Sequence, residues 1–97
     1  LFTFINRFTV TGDQAEFDRL LGEIAAHMKQ QPGFRSYRLY RSARDPKVYL
    51  ETAEWADADS HNQAKATEGF LVPVKQIREH VAAEPGPFDL MVHHSGS

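Results

Sequence analysis

Ninety-seven residues suffice for one domain that buries roughly 60–65% of its unfolded surface. Thirteen acidic against eleven basic residues give a formal charge of −2, which excludes a nucleic-acid module held by a basic face, and the lack of cysteine excludes a disulfide scaffold, a thiolate metal site and a cysteine nucleophile. A hydrophobic fraction of 41% is too high for disorder, yet no apolar run approaches the ~20 residues of a membrane span.

The first segment, Leu1 to Val10, alternates, and its even face carries Phe2, Phe4, Asn6, Phe8 and Val10, the period of a strand with one side in a core. Asp13, three residues before Glu16, forms a capping-box-like helix start. Phe17, Leu20, Leu21, Ile24 and Met28 then recur at helical spacing, which predicts a helix over about 13–31, ended by Pro32-Gly33. Phe34 to Ser42 reads as a second strand with Tyr37 and Leu39 on one face. The Arg44-Asp45-Pro46-Lys47 turn joins it to a third strand, Val48 to Trp55, as a hairpin. A short polar helix is expected over 57–66. Phe70, Leu71, Val74, Ile77 and Val81 restore a helical stripe, with Pro73 tolerable only near its first turn. Glu84-Pro85-Gly86-Pro87 reads as a break, and Phe88, Leu90 and Val92 as the last strand.

The order β-α-β-β-α-(α)-β defines an α+β, ferredoxin-like domain over 1–94, a four-stranded antiparallel sheet with helices on one face, followed by a disordered tail over 95–97. Ile5, Val48 and Leu50 put apolar groups on the opposite sheet face as well. That face needs cover, and a second subunit's sheet is the expected cover, hence a homodimer. With no basic-then-apolar leader ahead of Phe2, a cytoplasmic location without membrane contact is the expectation; a chain opening on Leu1 is also expected to lack its first few residues.

Function is sought where polar residues interrupt apolar faces. Asn6 breaks the phenylalanine stripe of the first strand, and a buried amide without a partner costs roughly 1–3 kcal/mol. It is either a structural hydrogen-bonding group or a donor aimed into a cleft. Glu51 shares a face with Tyr49, Ala53 and Trp55; it is either a wetted edge residue or a carboxylate whose raised pKa suits a general base. Trp55 could wall a pocket or fill the core. His61, six residues later, could point at the same strand end and carry protons. His27, His80 and the His93-His94 pair do not converge at metal-ligand spacing, so no metal is expected. No GxGxxG, GxxxxGK[ST] or GxSxG occurs, which leaves nucleotide cofactors and an esterase nucleophile without motif support.

Phe4-Ile5-Asn6-Arg7-Phe8-Thr9-Val10, the Gln31-Pro32-Gly33-Phe34 joint and Glu54-Trp55-x-Asp57 are similar to the antibiotic biosynthesis monooxygenase family, over about residues 2–93. The resemblance implies a dimeric α+β barrel of two ferredoxin-like subunits packed sheet to sheet. Several members of that family oxidise anthrones or phenols of aromatic polyketides to quinones with O₂, without metal or flavin. By position, the family's cleft tryptophan matches Trp55. Its asparagine four residues earlier is replaced by Glu51, its tyrosine six residues later by His61, and its helix arginine falls near Lys75 or Arg78. Haem-degrading enzymes of the same fold would share Asn6, but their helix tryptophan and histidine fall near Ala64 and Val74, which cannot do that work.

The function expected is therefore a cofactor-independent monooxygenase acting on a small aromatic substrate with O₂. Asn6, Glu51, Trp55 and His61 form its catalytic set, with Glu51 or His61 as base. Phe4, Tyr37 and Tyr49 would stack the substrate, and Lys75 or Arg78 would complete the site. A proton-shuttling cyclase or isomerase, and a non-catalytic small-molecule-binding dimer, are the alternatives.

Overall fold

A computed structural model of the chain describes residues 1–96. Its elements run β1 (Phe2–Val10), α1 (Gln14–Met28), β2 (Phe34–Arg41), β3 (Val48–Trp55), α2 (Ala58–Lys65), α3 (Glu68–Ile77) and β4 (Val81–Phe88). The strands form one antiparallel sheet in the order β2-β3-β1-β4, the ferredoxin-like arrangement. Phe8, Val10 and Tyr49 of the sheet pack on Phe17, Leu20 and Leu21 of α1 and Ile77 of α3. A second apolar cluster joins Ala53 and Trp55 to Met28 of α1 and Ala64 of α2. All three helices therefore cover the face carried by the even residues of β1 and the odd residues of β3.

Local chemistry explains the element ends. Asp13 caps α1, its carboxylate accepting from the Glu16 amide at 2.9 Å. Gly33 turns the chain into β2 with φ +88°, and a Cβ there would lie 2.4 Å from Ser60 in the first turn of α2. Its carbonyl accepts from the Ala56 amide at 2.7 Å, and Asp57 caps α2 by accepting from the Ser60 amide at 2.7 Å. The α1–β2 joint thus fixes where α2 begins, and with it the position of His61.

Three expectations are corrected. The last strand lies over Val81–Phe88 and contains the expected break, while residues beyond it have no regular secondary structure. β4 is an edge strand. Pro85 and Pro87 have the same parity, so both ring nitrogens can face the open edge and no ladder donor is lost. The stripe assigned to a helix through Val81 stops at Ile77 because Val81 already pairs with Val10. With α3 beginning at Glu68, Pro73 sits in its second turn, where the missing N–H leaves the Gly69 carbonyl without its helical donor. Of the expected tail, 95–97, Ser97 lies outside the described residues.

Candidate active site

Between the sheet and the helices lies a cavity of about 310 Å³, to which all seven elements contribute side chains. Its wall is mostly apolar, built by residues such as Phe4, Ile24, Phe34, Phe70 and Val81. Asn6, Glu51, Trp55 and His61, far apart in sequence, all line it, as do Phe4, Tyr37 and Arg78. Lys75 and Tyr49 do not. Lys75 is exposed on α3, and Tyr49 lies in the core, its hydroxyl donating to Asp18 at 3.1 Å and accepting from Gln14 at 3.1 Å. Lys65 was missed by sequence reasoning: it follows His61 by one helical turn and shares its face, a spacing that could have marked it.

The polar group of the cavity is assembled by strand register. Asn6 of β1 pairs directly with Glu51 of β3, so both side chains leave the same face of the sheet as neighbours. Asn6 Nδ2 donates to Glu51 Oε2 at 3.5 Å, and the Tyr37 hydroxyl donates to Glu51 Oε1 at 2.8 Å. Asn6 is only 7% exposed, and its Oδ1 is buried without a partner among the described residues. A carboxylate accepts only, so Nδ2 must face it and Oδ1 is turned elsewhere. An unpaired buried acceptor of this kind is complementary to a ligand's O–H or N–H.

Burial pushes the Glu51 carboxyl above the usual carboxylate range, while the hydrogen bonds from Tyr37 and Asn6 pull it back. Burial, then the Glu51 charge and the hydrogen bond to it, push the Tyr37 phenol far upward, so it stays a neutral donor. His61 is 4% exposed and is packed by the rings of Phe2, Phe4 and Trp55, with centroids 5.1, 4.8 and 5.4 Å away. Burial, assisted by the nearby Lys65 charge, lowers its imidazole from 6.5 to about 4, so at neutral pH it is uncharged. Phe34 meets the Trp55 ring edge to face at 5.6 Å and 89°. On its outer side His61 also borders a cleft of about 400 Å³ between α2 and the β1–β4 edge.

A hydrophobic hollow with a carboxylate of elevated basicity, a neutral imidazole and an unsatisfied amide oxygen can bind a planar hydroxylated molecule and take a proton from it. The chain belongs to the antibiotic biosynthesis monooxygenase family, whose model matches residues 1–76. It is similar to deoxynogalonate monooxygenase of Streptomyces nogalater, with 38% identity over 86 residues that cover 89% of this chain and 73% of that protein. The crystal structure of SnoaB, a cofactor-independent oxygenase from Streptomyces nogalater, matches with a TM-score of 0.89 at 36% identity, covering 95% of this chain and 94% of SnoaB. A crystal structure of an antibiotic biosynthesis monooxygenase, at 22% identity and covering 95% of this chain and all of its own, has a TM-score of 0.80 and bears on the fold alone.

The depressed His61 pKa has a consequence for stability. Between pH 6.5 and about 4 the unfolded imidazole takes up a proton that the native one refuses, so His61 holds back nothing above pH 6.5 and costs stability as pH falls through that window. Urea unfolding across this range should show the wild type losing stability on acidification and His61→Phe losing clearly less. Parallel curves would mean that the buried imidazole protonates freely in the folded protein.

Proposed function

We propose that this chain is a cofactor-independent monooxygenase that oxidises an anthrone or phenol of an aromatic polyketide to a quinone with O₂, and that it works as a homodimer packed sheet to sheet. The observation that carries this reading is the group Asn6, Tyr37, Glu51 and His61 gathered in one apolar cavity. Its support from relatives is the similarity to deoxynogalonate monooxygenase and to SnoaB, an oxygenase described as cofactor-independent.

Glu51 is the base. Burial raises a carboxylate toward neutrality and so strengthens it as a proton acceptor, whereas the same burial disfavours the imidazolium that His61 would have to become. Glu51 removes a proton from the substrate, and the resulting electron-rich anion passes one electron to O₂. The radical pair combines to a peroxide anion, which takes the proton back from Glu51. Loss of the remaining hydrogen on that carbon with cleavage of the O–O bond releases water and leaves a new carbonyl. One oxygen atom of O₂ ends in the quinone and the other in water. Asn6 accepts from a substrate hydroxyl through the vacant Oδ1, and Phe4 and Trp55 hold the rings. His61, neutral and packed in aromatics, forms the wall toward the outer cleft. Positioning and exclusion of water are the rest of the protein's contribution.

An oxygen electrode on metal-stripped protein supplied with an anthrone should record O₂ uptake matched one for one by quinone formation. Glu51→Gln should lower kcat/KM by roughly 10²–10⁴-fold, the range of a lost general base. No uptake above the buffer rate from protein with native circular dichroism would end this reading.

The dimer is proposed from the uncovered sheet face. Tyr40, Leu50 and Phe88 are exposed there by 50%, 38% and 54%, around a half-buried Ile5 in the sheet centre. Arg7 and Glu84 on the same face pair with each other at 3.4 Å, and Thr52, Glu54 and Arg38 share that face with the apolar groups. A second copy buries this surface at once, because a face that covers itself needs no other partner. Light scattering should give twice the 11.0 kDa of the chain, and Leu50→Lys should return it to a monomer.

A further inference from the structure

We propose that Tyr37 is a positioning residue that holds the Glu51 carboxylate ionised and oriented for proton abstraction, and is not a substrate contact. This rests on the reading of Glu51 as the base. Tyr37 reaches the cavity from β2, where its register partner is Ala53 and that of Leu39 is Glu51, so Tyr37 and Glu51 meet diagonally across the β2–β3 ladder. The β-bulge between Phe34 and Ser36 shifts the parity of this strand. It allows Phe34 and Tyr37 to reach the same cavity although they are three positions apart, an odd spacing that would put them on opposite faces of a regular strand.

A phenol has one proton to donate, and here it goes to Oε1 at 2.8 Å. Asn6 holds Oε2 from the other side at 3.5 Å, a longer and weaker bond, so Tyr37 is the stronger of the two anchors. A carboxyl held by two donors is ordered as an anion, and its remaining lone pairs are left for substrate. The other charged or titratable groups of the cavity are His61 and Lys65 from α2 and Arg78 at the C-terminal cap of α3. The wall from α1 is Leu21, Ile24, Ala25 and Met28, and that from β4 is Val81, Ala83 and Pro85. His61 is neutral in the working range, and neither Lys65 nor Arg78 bonds to Glu51 among the described residues. Tyr37 is thus the principal group that favours the charged form of a carboxylate otherwise pushed toward its acid by burial.

The expected signature follows from the sign of that contact. Removing a donor to the anion raises the carboxyl further, so Tyr37→Phe should move the acidic limb of kcat/KM to higher pH. Activity should fall by about tenfold or more on the acid side and recover as pH rises, as for a lost hydrogen bond to a charged group. KM for an anthrone should change little. In a Glu51→Gln background, which has no carboxylate to hold, adding Tyr37→Phe should cost almost nothing more. Carbon-13 titration of the Glu51 carboxyl reads the same contact without turnover and should show the same upward move. An unmoved carboxyl titration in folded Tyr37→Phe, or a rise in KM with an unmoved limb, would overturn the proposal. If the wild type consumes no oxygen, the monooxygenase reading fails. The carboxyl titration would still decide whether Tyr37 holds the anion.

Discussion

A carboxylate kept inside a hydrophobic hollow is the constraint on which this molecule turns. Glu51 cannot sit there charged without donors, because a dry anion costs several kcal/mol or neutralises itself. The two donors come from neighbouring strands, Tyr37 from β2 and Asn6 from β1, and β3 lies between those strands in the sheet. A slip of one residue in either ladder would turn one member of the trio to the opposite face. The hydrophobic alternation that sets register therefore also assembles the site.

The helices give that trio its surroundings. α1 and α3 lay leucine, isoleucine, valine and phenylalanine side chains over the cavity, and α2 inserts His61 among Phe2, Phe4 and Trp55. The same burial acts in opposite directions on the two groups able to carry protons, raising the carboxyl and lowering the imidazole. Environments that push two titratable groups apart assign them different roles. At the position where the family resemblance implies an asparagine, this chain has Glu51, and where it implies a tyrosine it has His61.

Much of this was legible in the sequence, for identifiable reasons. Period-two alternation in β1 and the apolar stripe of α1 are strong signals, and Asn6 stood out because it interrupts one of them. Glu51 and Trp55 shared a face by parity alone. β4 was misplaced because prolines argue against a strand unless the strand is known to lie at an edge, and edge position is a property of the whole sheet. Tyr49 could not be told from Tyr37 by type; only the tertiary position of Asp18 and Gln14 shows that its hydroxyl is used in the core. The bulge that brings Phe34 into the same cavity as Tyr37 is not announced by the hydrophobic pattern.

Whether this hollow delivers a substrate anion to molecular oxygen is read out by isotope labelling. Turnover of an anthrone under ¹⁸O₂ should place one labelled atom in each quinone, and turnover should stop when oxygen is removed. A product whose new oxygen comes from water, or turnover that continues anaerobically, would contradict the account and leave a proton-transfer enzyme in its place.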